Sequence, residues 1–114
     1  MVKNPKFQIF SGKNDKVYFR LNARNGEQIL SSEGYSSKSS CENGIESVRK
    51  NSADDGRFVK KTAKDGRFYF SLTATNGQTV GSSQMYKTES GRNNGIGAIQ
   101  RVAADAPVED TTEE

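Results

Sequence analysis

Two stretches of the 114-residue chain are nearly the same: YFRLNARNGEQILSSEGY at residues 18–35 and YFSLTATNGQTVGSSQMY at residues 69–86. They belong to a longer duplication, because residues 7–53 align with residues 58–104 at an offset of 51, and sixteen of the 47 pairs are identical. A repeat of about 50 residues is one supersecondary unit that buries its apolar face against its copy. The sequence therefore predicts two tandem units related by a pseudo-twofold axis.

Each stretch begins with an alternating pattern. Phe19 and Leu21 fall on one side of an extended chain, while Tyr18 and Arg20 fall on the other. A period of two is typical of a strand that is buried on one face. The copy, which starts at Tyr69, repeats the alternation, so each unit contains a half-buried strand.

An Asn-Gly pair follows each of these strands and is a strong hairpin signal. A three-residue loop with a left-handed glycine would keep the apolar residues of the next strand on the buried face. We therefore expect a positive φ at Gly26 and Gly77 and a negative φ at Asn25. The same register places Ile29 opposite Leu21.

A helix is predicted after the hairpin of each unit. The candidate N-caps in the first unit are Ser36, Ser37 and Ser39, and Ser39 with Glu42 matches a capping box. The apolar residues at helical spacing are Cys41, Ile45 and Val48 in the first unit and Ile96, Ile99 and Ala103 in the second. Gly44 and Gly95 lie on the same faces, which indicates close approach of the helix backbone to the sheet or to the other helix.

Short strands precede the alternating ones, so each unit is predicted to be β-β-β-α, with a possible final strand. Two such units form an α+β domain, with one antiparallel sheet of about six strands and two helices on one face. The single domain spans residues 1–104, with units at about 5–55 and about 56–104. Residues 105–114 form an acidic tail that we expect to be disordered.

Charge is distributed unevenly along the chain. The tail carries five acids and no base, so the remaining residues hold 17 bases against nine acids, a net charge of +8. A basic body is compatible with a polyanionic partner, although ordinary surface charge also explains it. Candidate binding residues on the uncovered sheet face are Tyr18, Arg20, Arg67 and Tyr69. They could bind single-stranded nucleic acid by stacking and phosphate contacts, bind a protein, or be covered by the acidic tail.

Several classes of chemistry find little support in the sequence. The chain has no histidine and a single cysteine, Cys41, which removes the commonest general base, the commonest metal ligand and any internal disulfide. Ser47 and Lys50 match a Ser-x-x-Lys pattern, but they fall near a helix C-terminus without the partner motifs of serine acylases. We expect no enzyme activity, no catalytic residue, no metal and no cofactor. The absence of a long apolar run predicts a soluble, cytoplasmic protein outside the membrane.

The segments SSEGYSSKSSCENGIESVRKN and GRFYFSLTATNGQTVGSSQMY together resemble the YegP-like family of small, mostly bacterial proteins. The resemblance covers both units, at roughly residues 5–104. It implies tandem units in one sheet with terminal strands exchanged between them, and single-unit relatives that reach the same shape by dimerising. A covalent duplication would then replace the dimer, which predicts a monomer. The family has no established biochemical function, so no functional residue is carried over from it. The residues themselves favour a non-enzymatic binding or scaffolding module of unknown partner. Only Val108 hints at the final exchanged strand.

Overall fold

A computed structural model describes residues 2–112 of the chain. In chain order, its strands are β1 (Lys6–Ser11), β2 (Val17–Asn22), β3 (Gln28–Ser32), β4 (Phe58–Thr62), β5 (Phe68–Thr73), β6 (Thr79–Ser82) and β7 (Val108–Asp110), and its helices are α1 (Lys38–Asn51) and α2 (Glu89–Val102). A 3₁₀ turn at Asp55–Arg57 leads into β4. None of the helices in this part of the chain is long and apolar enough to cross a bilayer.

All seven strands form one sheet in the order β4-β5-β6-β3-β2-β1-β7. The two units meet at its centre, where Ser31 of β3 pairs with Ser82 of β6. Neighbouring strands are antiparallel except β7, which runs parallel to β1. The predicted α+β architecture of two tandem units is confirmed. The sheet has seven strands and is mixed because the C-terminal segment adds one parallel strand at its edge.

The predicted turn type is confirmed at both hairpins. Gly26 has φ +88° and Gly77 has φ +85°, while Asp15 is the one non-glycine residue with a positive φ in the described part of the chain. In the first hairpin, the Ala23 N–H donates to Glu27 O and the Gly26 N–H donates to Ala23 O. These bonds define a three-residue loop with glycine at the left-handed position.

The predicted register after the turn is wrong by one residue. Leu21 pairs with Leu30, while Asn22 pairs with Gln28, so Ile29 is the extra residue of a β-bulge. A bulge lets two consecutive residues face the same side of a sheet, and both Ile29 and Leu30 are buried. The second unit repeats the bulge, so Leu72 pairs with Gly81.

The two helices have the same length and equivalent caps. Ser37 is the N-cap of α1, where its hydroxyl accepts a hydrogen bond from the Ser40 N–H at 3.1 Å, and Thr88 caps α2 in the same way. The capping box predicted at Ser39 is wrong, because Ser39 lies inside the helix. The predicted helix faces are confirmed as buried: Cys41, Ile45, Val48, Ile96, Ile99 and Ala103.

Gly44 and Gly95 do mark a close approach, but the neighbour is an aromatic ring in each unit. A Cβ added to Gly44 would lie 2.7 Å from Tyr35 Cζ, and one added to Gly95 would lie 2.8 Å from Tyr86 Cζ. Tyr35 stacks on the sheet residue Phe19, with ring centroids 6.2 Å apart. The glycines therefore let a tyrosine ring fit between the helix backbone and the sheet.

The C-terminal segment differs from the expected disordered tail. Val108–Asp110 forms β7 against β1 of the first unit, as the family resemblance implied for an exchanged strand. Ala106 is fully buried just before this strand. Residues 105–112 are thus part of the folded structure, while residues 113 and 114 lie outside the described part.

Candidate functional site

The face of the sheet opposite the helices carries the four candidate binding residues. Its middle row consists of Arg20, Ser31, Ser82 and Ser71, which pair across β2, β3, β6 and β5. The Ser71 and Ser82 hydroxyl oxygens lie 3.3 Å apart. The centre of this open face therefore consists of three serines flanked by Arg20.

The structure divides the four candidates into two groups. Tyr18 lies two residues before Arg20 on β2, and Tyr69 lies two residues before Ser71 on β5. Because β2 and β5 run in opposite directions, the tyrosines lie on opposite sides of the middle row. Standard strand and residue spacings place them about 20 Å apart. A small ligand cannot contact both tyrosines at once.

The first group, called here the β2 patch, consists of Phe10, Tyr18 and Arg20, and its members contact one another. The Tyr18 ring stacks on Phe10 with centroids 5.7 Å apart, and the Arg20 guanidinium lies 4.8 Å from the Phe10 centroid. Arg20 Nε also donates to Gln8 Oε1 at 2.9 Å. This network continues to β7, because Gln8 Nε2 donates to Glu109 Oε1 at 2.8 Å. The β2 patch is thus engaged in contacts within the chain.

The second group, called here the β5 patch, consists of Lys61, Arg67 and Tyr69. Lys61 Nζ lies 5.9 Å from the Tyr69 ring centroid. Arg67 Nε pairs with Asp65 Oδ2 at 2.7 Å, but both side chains are about half exposed, so this pair contributes little to stability. Lys61 and Arg67 are both exposed beside the Tyr69 ring, whereas Arg20 of the β2 patch is half-buried and bonds to Gln8.

The acidic C-terminal segment lies at the other end of the sheet from the β5 patch. Glu109 Oε1 accepts from Lys6 Nζ at 2.8 Å, and Asp110 Oδ2 pairs with Lys38 Nζ at 2.9 Å. The hydrogen bond from Lys6 is the main reason that the pKa of Glu109 falls to about 2, and Lys38 has the same effect on Asp110. Within residues 105–112, the segment therefore neutralises the β1 edge and leaves Tyr69 uncovered.

Cys41 and Ser47, the residues considered above for covalent chemistry, both lie in surroundings that indicate a structural role. Cys41 is fully buried on α1, and burial raises the pKa of its thiol to about 11, which disfavours the reactive thiolate. Ser47 accepts hydrogen bonds from Asn51 Nδ2 through its main-chain oxygen at 2.8 Å and its hydroxyl at 3.1 Å. In the described part of the chain, no group of three or more His, Cys, Asp or Glu residues could hold a metal ion.

A cavity of about 390 Å³ lies between α2 and the β2–β3 hairpin. Its walls include Arg24, Tyr86, Asn94 and Arg101. At the equivalent place in the first unit, Asn51 folds back onto Ser47. The sequence signal for this difference is the replacement of Ser47 and Asn51 by Ala98 and Val102 in the copy, which sequence reasoning missed.

Comparison with known proteins gives the family. A model described as "Domain of unknown function (DUF1508)" matches residues 13–58 and again residues 63–110. A UPF0339 protein of Bordetella pertussis is 50% identical over 105 residues, which cover 92% of this chain and 95% of the relative. The UPF0339 protein YegP of Escherichia coli K12 is 46% identical over 106 residues, which cover 93% and 96%. The chain belongs to the YegP-like, UPF0339 family.

Solved structures of YegP-like proteins share the fold. The solution NMR structure of a protein of unknown function, yegP from E. coli, superimposes with a TM-score of 0.92 at 43% identity and covers 100% of this chain and 98% of that one. The solution NMR structure of a UPF0339 protein from Shewanella oneidensis gives a TM-score of 0.89 at 41% identity, covering 94% and 91%. The relatives are uncharacterised, so the YegP-like family supplies a fold and no site residues.

Proposed function

We propose that the chain is a non-enzymatic binding or scaffolding module that acts through the β5 patch. The observation that supports this is the difference between the two halves of the open face. In the first half, Arg20 donates to Gln8, and Gln8 donates to Glu109, whereas Lys61 and Arg67 of the second half are exposed. Exposed cations beside an aromatic ring suit recognition of an anionic partner.

The proposal is tested by comparing two charge reversals at equivalent positions of the two units. Arg67→Glu changes the β5 patch, and Lys16→Glu is its matched control, because position 16 aligns with position 67 and is also exposed. Each tagged variant and the unmodified chain are incubated with native bacterial lysate, and the retained molecules are identified by mass spectrometry. Partners that Arg67→Glu loses and Lys16→Glu retains would support the proposal. Equal retention by both variants would refute it.

A second candidate is binding of single-stranded nucleic acid, which the side-by-side arrangement of Tyr69 and Lys61 favours. A base stacked on tyrosine contributes about 1–3 kcal/mol, and phosphate contacts make binding weaken steeply with salt. Filter binding with single-stranded DNA and RNA at 50 and 200 mM salt tests it. We expect salt-sensitive retention that Tyr69→Ser abolishes, and retention that is absent or unaffected by salt would exclude this candidate.

We further infer that the chain acts as a cytoplasmic monomer. The buried, unpaired Cys41 is in keeping with a reducing compartment, and the pairing of β3 with β6 gives each unit its partner within one molecule. Sedimentation equilibrium should give the mass of one chain, 12.5 kDa. A mass of two chains at micromolar concentration would contradict the inference.

A further inference from the structure

The two edges of the sheet are equivalent by the duplication but differ in the structure. At the β1 edge, Phe7 N–H donates to Pro107 O at 2.8 Å and Ile9 O accepts from the Thr111 N–H at 2.8 Å. β7 therefore pairs with the outward main-chain groups of Phe7 and Ile9. The equivalent residues of β4, at an offset of 51, are Phe58 and Lys60.

At the β4 edge, only the start of this interaction is reproduced. The Phe58 N–H donates to Asp55 O, so the 3₁₀ turn takes the place of Pro107. Beyond it, β4 is the edge strand, and no strand within residues 2–112 pairs with the outer side of Lys60. The Phe58 carbonyl and the Lys60 N–H and carbonyl are thus positioned like the groups that hold β7.

A groove also lies where a strand would fit. A cavity of about 270 Å³ lies between β4 and α2, lined by Phe58, Lys60, Asn93, Ile96 and Gln100 among others. At the other edge, the equivalent space beside Ile45 is bordered by Val108 of β7. The missing strand leaves Phe58 slightly more accessible than its counterpart: Phe58 is 8% exposed, whereas Phe7, beside β7, is fully buried.

The charge of this edge selects the kind of strand that fits. Arg57, Lys60 and Lys61 lie along the β4 edge, where the β1 edge has Lys6, Ile9 and Phe10. Arg57 Nε lies 3.5 Å from Asp54 Oδ2 and Asp55 also lines the groove, so the edge owes its net positive charge to Lys60 and Lys61. Lysines on an edge strand oppose pairing with a second copy of the same edge. They favour an acidic strand, as Lys6 does when it binds Glu109.

We propose that the β4 edge binds an extended acidic segment of a partner protein, which adds to the sheet parallel to β4 as β7 adds to β1. The segment places a carboxylate on the open face between Arg57 and Lys61, where the equivalent position of β7 holds Glu109. The site differs at the next position of the strand. In the first unit, Asp110 of β7 pairs with Lys38. The residue equivalent to Lys38 in the second unit is Glu89, so we expect the partner segment to have a neutral or basic residue at the position equivalent to Asp110. This site lies on the sheet edge; it shares Lys61 with the β5 patch but involves neither Arg67 nor Tyr69, so the charge reversal at Arg67 tests the β5 patch without testing this edge.

The proposal is tested by NMR titration of the full chain with two synthetic peptides. The probe has the sequence of residues 107–112 with Asp110→Ser, and the control peptide carries Glu109→Lys in addition. We expect the probe to shift the amides of β4 and to slow hydrogen exchange at Lys60, while the control peptide does neither. The amides of Phe7 and Ile9 should not change, because their edge is already filled.

Two substitutions of Lys60 distinguish the contribution of main-chain hydrogen bonds to peptide binding from the contribution of the lysine charge. Lys60→Pro removes the outward N–H without removing a bond to β5, since proline is tolerated where the N–H of an edge strand faces solvent. Lys60→Ala is its control, with the same loss of charge and an intact N–H. We expect Lys60→Pro to abolish the shifts of the probe, and Lys60→Ala to bind it more weakly with the same pattern.

Three results would overturn the proposal. The first is equal binding of the two peptides, and the second is shifts confined to β1 and β7. The third is an oligomer in which β4 amides are already protected, which would mean that a second copy covers the edge. If Lys60→Pro does not fold, as judged from the amide shifts of Phe70 and Leu72, the pair of peptides still decides the question.

Discussion

Gly95→Ala gives the most direct test of how the helices are held on the sheet. Its Cβ would lie 2.8 Å from Tyr86 Cζ, about 0.7 Å closer than the ~3.5 Å optimum for two carbons. The ring cannot withdraw easily, because Tyr86 exchanges two main-chain hydrogen bonds with Phe68 and its ring stacks on Phe70. Overpacking of this kind costs about 1–3 kcal/mol, and the rigid surroundings favour the upper end.

Alanine also gains about 1 kcal/mol over glycine in helix propensity, so the expected net loss of unfolding free energy is about 2 kcal/mol. For a chain of this size the melting temperature should fall by on the order of 8 °C. Urea denaturation followed by circular dichroism measures the free energy, and a thermal scan measures the melting temperature.

Gly97→Ala on the same helix is the matched control. The neighbour of its Cβ is Arg101 Nη1 at 3.3 Å, the end of a flexible side chain, so this variant should gain up to about 1 kcal/mol. Adding Tyr86→Phe to Gly95→Ala removes the hydroxyl oxygen, which is the atom closest to the new methyl group, and should restore part of the loss. If Gly95→Ala is as stable as Gly97→Ala, the glycine is not required for the fit of the ring, and the reasoning fails.

Three further predictions concern other parts of the chain. Cys41 should react with a thiol reagent at pH 8 far more slowly in the native protein than in urea, because it is buried and its thiol pKa is raised to about 11; equal rates would contradict its burial. Acidification should release β7 first, as seen by the NMR amide signal of Thr111. The folded pKa values of Glu109 and Asp110 are about 2, below the ordinary 4.5 and 3.8, so their contribution is complete above about pH 4.5 and is lost as the pH falls towards 2. A signal that is constant over this range would refute the role of these carboxylates. Gly77→Ala should lower the free energy of unfolding, measured by urea denaturation, by about 1–2 kcal/mol through its φ of +85° alone, since its Cβ would have no neighbour within 4 Å, and an unchanged midpoint would contradict this.

The repeat made most of the fold predictable, because period-two alternation, the Asn-Gly turns and the helical spacing each occur twice. The register after the turn was not predictable from alternation alone. Ile29 and Leu30 are adjacent apolar residues, and this pair was the available signal for a bulge. The copy has Gly81 in place of Leu30, and a Cβ there would lie 3.0 Å from Leu30 Cγ. The two units thus differ at the residue where they pack against each other.

The candidate site was less predictable, since it depends on how distant strands are ordered. The sequence places Tyr18 and Tyr69 on the same face, which follows from alternation within each strand. Their separation of about 20 Å depends on the pairing of β3 with β6, which alternation does not reveal. The contact of Glu109 with Lys6 depends on β7, and Val108 was the single residue in the sequence that indicated this strand.

The open β4 edge follows from the duplication itself. A dimer of two single units would have two chain ends, and each could cross over to close the edge of the other unit. A tandem chain has one such end, and β7 uses it at β1. The segment after α1 cannot do the same, because residues 52–57 must connect α1 to β4 within the chain. Joining two units thus leaves the outer side of β4 without a closing strand among residues 2–112, and this is the place that we propose a partner segment fills.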